Sequence, residues 1–79
     1  MSNKTPKYTW TLHTSDWDVK TYQVSRGDTH LGYVDVDYCD GRIESRTAVP
    51  KYDNTECPYV YSRKEANDYL WAVHQKQAK

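Results

Sequence analysis

The sequence predicts an α+β domain: a small antiparallel four-stranded sheet with one C-terminal helix packed on one face, in the order β-β-β-β-α. Three observations carry this. Residues 7 to 49 contain stretches that alternate apolar and polar side chains, the period of a half-buried strand. Turn-forming pairs punctuate them, Asp40-Gly41 most clearly. Beyond Ser62 the apolar spacing changes to that of a helix.

Met1 to Pro6 reads as a short flexible leader. "KYTWTLHT" sets Tyr8, Trp10 and Leu12 against Thr9, Thr11 and His13. "SDWD" supplies a turn and "VKTYQVSR" a second strand, with Trp10 expected opposite Tyr22 and Tyr8 opposite Val24. "RGDT" turns the chain again into "HLGYVDVDYC", where Gly32 marks a bulge or a close backbone approach. "RIESRTAV" is the fourth strand.

The stretch "DVDYCDGRIESR" admits two readings. A calcium loop needs oxygen ligands at positions 1, 3 and 5, glycine at 6 and glutamate at 12. From Asp35 those positions hold Asp35, Asp37, Cys39, Asp40 and Arg46, so a thiol, a misplaced glycine and a cation defeat it. A hairpin turning at Asp40-Gly41 fits, because both central residues of a type I′ turn require positive φ. It pairs Cys39 with Arg42, Tyr38 with Ile43, Val36 with Ser45 and Val34 with Thr47. Val34, Val36, Tyr38, Ile43 and Val49 then share one face. Tyr33, Asp35, Asp37, Glu44 and Arg46 share the other, with Asp35 opposite Arg46.

Residues 50 to 58 form an irregular loop. Ser62 is the expected N-cap of the helix, its hydroxyl accepting from the Glu65 N–H while Glu65 reaches back to the N–H of Ser62. Tyr61 is placed to staple against Ala66. Ala66, Tyr69, Leu70 and Val73 make the packing face.

Seventy-nine residues give one domain, 1–79, close to the size at which a single core suffices. Leucine, isoleucine and valine total eleven and phenylalanine is absent, so eight tyrosines and three tryptophans must supply much of the apolar area. Each has a polar edge, which suits core rims and interfaces. Seven lysines and four arginines balance eight aspartates and three glutamates, without the basic excess of a nucleic-acid binder. The charge is uneven: residues 15 to 44 hold seven acids against three bases. No segment reads as a signal peptide or membrane span, so the expectation is a cytoplasmic protein whose Cys39 and Cys57 are reduced thiols.

Zinc sites pair their ligands at short spacing, whereas here the cysteines and His13, His30 and His74 are isolated, so no metal or other cofactor is expected. No nucleophile lies beside an oriented base and no glycine-rich phosphate loop occurs, so no catalytic residue is assigned. "RGD" at Arg26 to Asp28 reads as a turn, and the sequon at Asn3 is inert in the cytoplasm.

The residues that point outward are those of a binding surface. Asp35, Asp37 and Glu44, with Tyr33, form an acidic sheet face suited to a protein partner with a basic surface. Trp17 sits in a turn between two aspartates and is either a binding anchor or a packed side chain, the anchor being favoured. Trp71 lies about 140° from Ala66 on the helical wheel, either as an anchor or packed under the 50–58 loop. In size, strand-rich layout and Tyr/Trp-heavy surface the chain resembles small accessory proteins of phages and mobile elements, including anti-CRISPR inhibitors. That resemblance implies a non-enzymatic protein-binding module that inhibits or regulates a larger complex. The alternative is a single-stranded nucleic-acid-binding protein that stacks bases on an aromatic sheet face, which the aspartates disfavour. A homodimer would cover an edge strand.

Overall fold

The computed structural model describes residues 7–52 and 55–77. The leader Met1 to Pro6, with the Asn3 sequon, and Asp53 and Asn54 of the loop lie outside them. The elements are β1 (Tyr8–Ser15), β2 (Val19–Arg26), β3 (Thr29–Cys39), β4 (Arg42–Pro50), β5 (Tyr59–Val60) and α1 (Arg63–Gln77). The sheet is an antiparallel meander in the order β1-β2-β3-β4-β5. It therefore has five strands where the sequence suggests four. Tyr59 and Val60 pair with Thr47 and Arg46, a ladder too short to show any alternation in sequence.

Asp40 and Gly41 both take positive φ, at 53° and 79°, so the β3–β4 hairpin turns where expected. Cys39 opposes Arg42 and Tyr38 opposes Ile43 as anticipated. The ladder then slips at Asp37/Tyr38, so that Asp37 faces Ser45, Val36 faces Arg46, Asp35 faces Thr47 and Val34 faces Ala48. Glu44 is the extra residue of this bulge. One inserted residue moves everything beyond it to the opposite face. Arg46 leaves Asp35 for the helix side, and Val49 leaves the core side to stand opposite Tyr33.

β1 and β2 are offset by two residues from the expected pairing: Trp10 faces Val24, Leu12 faces Tyr22 and Tyr8 faces Arg26. A two-residue offset keeps each side chain on its face, so Trp10 and Tyr22 still meet diagonally, with ring centroids 5.7 Å apart. Between β2 and β3, Val24 pairs with Gly32 and Ser25 with His30, leaving Leu31 as a bulge residue that is fully buried. Gly32 adjoins this bulge and is a close approach: its φ is +150°, and a Cβ there would lie 2.4 Å from the Val49 carbonyl oxygen.

The core is Val24, Leu31, Val34, Val36, Ala48, Val60, Ala66 and Leu70. Each buried valine or leucine contributes about 1.5–3 kcal/mol of transfer free energy. Tyr8, Trp10, Tyr22, Tyr38, Tyr69 and Trp71 pack around it as a half-wet rim. Trp10 donates its Nε1–H to Asn67 Oδ1 at 2.8 Å, which ties β1 to the helix.

At the helix start the Glu65 N–H donates to Ser62 Oγ at 3.1 Å. The reciprocal bond differs from expectation: Glu65 Oε1 accepts from the N–H of Tyr61, at 2.7 Å, one residue earlier. Tyr61 is 84% exposed and does not staple against Ala66. The loop after β4 is held by side chains of the helix. Tyr69 donates its hydroxyl to the Glu56 carbonyl at 2.7 Å, and the Tyr52 hydroxyl shares a 2.7 Å hydrogen bond with His74 Nδ1.

Candidate functional site

Strand pairing puts Thr21, Asp35 and Thr47 in one row and Gln23, Tyr33 and Val49 in the next, on the face of the sheet away from the helix. Asp35 Oδ1 accepts from the Thr21 hydroxyl at 2.7 Å, and Asp37 Oδ2 from the Ser45 hydroxyl at 2.9 Å. The Tyr33 ring sits between two histidines, with centroids 5.0 Å from His13 and 5.3 Å from His30. His13, Thr14, Thr21, Tyr33, Asp35 and Val49 line an open depression of about 430 Å³. Because the bulge carries Arg46 to the other side, neither of these rows holds a lysine or arginine. The two carboxylates stand on this face held by hydroxyls.

The end of the sheet bearing the β1–β2 and β3–β4 turns carries the second surface. Trp17 is 99% exposed, the most exposed of the large hydrophobic side chains described. Its turn is nevertheless pinned. The Asp16 N–H donates to the Val19 carbonyl and the Tyr38 N–H to the Asp18 carbonyl, each at 2.7 Å. The indole thus projects from backbone tied to both β2 and β3. Trp17, Asp18, Lys20, Tyr38, Asp40 and Gly41 line a cleft of about 460 Å³. Lys20 extends over the Tyr38 ring, its Nζ 5.3 Å from the centroid. On this same side of the sheet Leu12 is 51% and Ile43 45% exposed. Asp16, Asp18 and Asp40 are all exposed at this end, so an apolar ring stands in an acidic surround.

The remaining expected site residues fall elsewhere. Glu44 does not join Asp35 and Asp37. It lines a groove of about 380 Å³ with Ile43, Arg46, Tyr59 and Tyr61 between β4 and β5. Trp71 is half-buried, with the Arg26 guanidinium 4.1 Å from its ring centroid on one side and His74 stacked 5.4 Å away. The loop after β4 is hydrogen-bonded by Tyr69 and His74, the helix neighbours of Trp71. Arg26 of "RGD" also reaches over the Tyr8 ring, which makes that tripeptide part of the aromatic rim. Trp17 precedes β2 and Arg26, the partner of Trp71, ends it, so the length of the strand, roughly 23 Å, separates the Trp17 turn from Arg26. Sequence reasoning missed Lys20 and Tyr38, although their even spacing with Tyr22 and Val36 marks them as sharing the helix-side face.

Cys39 and Cys57 are separate, exposed thiols. Among the described residues no three of His, Cys, Asp and Glu cluster as metal ligands, and no helix is long and apolar enough to cross a membrane. The chain matches no protein-family model, and comparison with curated proteins and with solved structures gives no match.

Proposed function

We propose that the protein is a non-enzymatic binding module that docks on a larger protein and inhibits or regulates it. The observation that carries this reading is Trp17, an almost wholly exposed indole on a turn fixed by two backbone hydrogen bonds. Holding so large an apolar ring in water has no benefit to folding, whereas a tryptophan on a backbone already fixed avoids the cost of ordering that backbone on docking and dominates interface energetics. Asp16, Asp18 and Asp40 surround it, so the fitting partner offers an apolar pocket rimmed by lysine or arginine. Asp35 and Asp37 supply a second acidic contact for a partner that wraps the sheet. Two exposed, unbridged thiols suit a reducing cytoplasm. The small size, strand-rich layout and Tyr/Trp-heavy surface resemble those of phage or mobile-element accessory inhibitors, which supports this reading by analogy alone.

The platform of Tyr33 and His13 favours a second reading, base stacking by single-stranded nucleic acid. Asp35 and Asp37 beside that platform repel phosphate, so this reading is the weaker.

Affinity capture of the partner with parent and Trp17→Ala proteins tests the proposal. The variant should unfold within about 0.5 kcal/mol of the parent and bind its partner about 30-fold more weakly, a loss of about 2 kcal/mol. Undiminished capture by a folded Trp17→Ala protein sinks the anchor. Asp35→Lys with Asp37→Lys tests the acidic face in the same way, through its effect on capture and on salt dependence.

A further inference from the structure

The geometry points to a closed homodimer formed by antiparallel pairing of β1 with β1 of a second copy, centred on Trp10. β1 is a sheet edge of eight residues, "YTWTLHTS", with no charged residue and no proline. Long, uncharged edges recruit further strands, and proteins that keep such an edge unpaired protect it with charge, proline, bulges or brevity. The opposite edge has brevity: β5 is two residues long, and beyond it β4 displays the exposed Arg42 and Glu44. Among the described residues one edge is thus guarded by brevity and charge, while β1 is unpaired on its outer side and interrupted only by the bulge between Leu12 and Thr14.

The register follows from the backbone. The Gly27 N–H donates to the Lys7 carbonyl at 3.2 Å, so Lys7 turns its peptide groups toward β2. In an antiparallel ladder this direction alternates, and Tyr8, Trp10 and Leu12 therefore point their N–H and C=O groups outward. The shift in the β1–β2 ladder between Leu12 and Thr14 ends the alternation there. A two-fold axis through Trp10 sets Tyr8 opposite Leu12 of the second copy, Trp10 opposite Trp10 and Thr9 opposite Thr11. Every opposed pair then lies on a common face, and Tyr8 and Leu12 form aromatic–aliphatic cross-strand pairs. The flanking cation Lys7 meets His13 of the second copy, so no like charges among lysine, arginine and the acids oppose one another. Pairing of β1 with itself is isologous and consumes the open edge of both copies, which closes the assembly at two. A strand-only contact is small, and the dimer is accordingly weak and concentration-dependent.

Sedimentation velocity of the parent protein from about 1 to 200 µM, the range suited to a small interface, should show monomer passing to dimer and nothing larger. Thr9→Lys with Thr11→Lys puts ammonium groups directly opposite each other across the axis. It should weaken the dimer at least about tenfold, with recovery as salt is raised. Thr9→Lys with Thr11→Glu opposes unlike charges and should keep the dimer. Both positions are exposed, and far-UV circular dichroism checks the fold. In the parent, the amides of Tyr8, Trp10 and Leu12 should gain hydrogen-exchange protection with concentration, a readout that needs no variant. A parent that stays monomeric at 200 µM, assembles beyond a dimer, or responds identically to the two double substitutions overturns the proposal.

Discussion

His30 shows how a single side chain couples the sheet to pH. Its Nδ1 is the one buried side-chain nitrogen or oxygen without a protein partner among the described residues. Burial first, and the positive charge of Lys51 second, hold its pKa below the ordinary 6.5. The fold therefore prefers the neutral ring. Above about pH 6.5, the unfolded value, its contribution to stability is fully present. As pH falls from there through the lower folded value, the unfolded chain binds the extra proton more readily and that contribution is lost. Thermal melts should be flat in this component between about pH 8 and 7 and should decline toward about pH 5. His30→Gln should remove part of the decline, and an unaltered profile would show that other groups carry it. None of this was legible in sequence, where His30 is an isolated histidine beside Asp28; its burial depends on the bulge that tucks Leu31 inward. Trp17 was legible, because flanking aspartates in a turn leave an indole nowhere to pack. Trp71 was not, since its partners Arg26 and His74 come from a distant strand and the next helical turn.

At the level of elements, signals confined to neighbouring residues read well and signals requiring a partner strand did not. Asp40-Gly41 fixed the hairpin because positive φ is a property of those residues themselves. Ser62 and Glu65 marked the helix start for the same reason. Ser62→Ala should cost roughly 1 kcal/mol, measured by denaturant unfolding; an unchanged midpoint would mean that Glu65 and the Tyr61 N–H hold the first turn alone. The bulge at Glu44 escaped detection because "RIESR" has a single apolar residue, so no alternation runs through it that a one-residue slip could interrupt. The slip is selected by what it buries. It lets Ala48 pack at zero exposure beneath the helix, while Thr47 stays on the wet face opposite Asp35. In the uninterrupted register Thr47 would have entered the core and left a hydroxyl there in search of a partner. Arg46, carried to the helix side, is half-exposed and donates to the Tyr61 carbonyl at 3.2 Å.

For the whole molecule the decisive quantity is the thinness of its core. Among the described residues the core cluster is eight small aliphatic side chains, none larger than leucine, and the rings lie around them. Leu70→Ala, at a site 1% exposed, should cost about 2–5 kcal/mol, a large share of the 5–15 kcal/mol typical of domains. A collapse of the melting transition should follow, and a loss below about 1 kcal/mol would show that the aromatic rim carries the stability instead. The composition foretold this arrangement, since a chain without phenylalanine and with few aliphatics must set polar-edged rings at its margins. The bond from the Tyr38 N–H to the Asp18 carbonyl adds a temporal dimension. The turn bearing Trp17 is completed by a strand the ribosome makes later, so it reaches its final shape only when β3 lies beside β2. A nascent, truncated or partly unfolded chain has the tryptophan but not the pinned turn beneath it, so under the proposed docking the indole is presented only once the sheet behind it is finished.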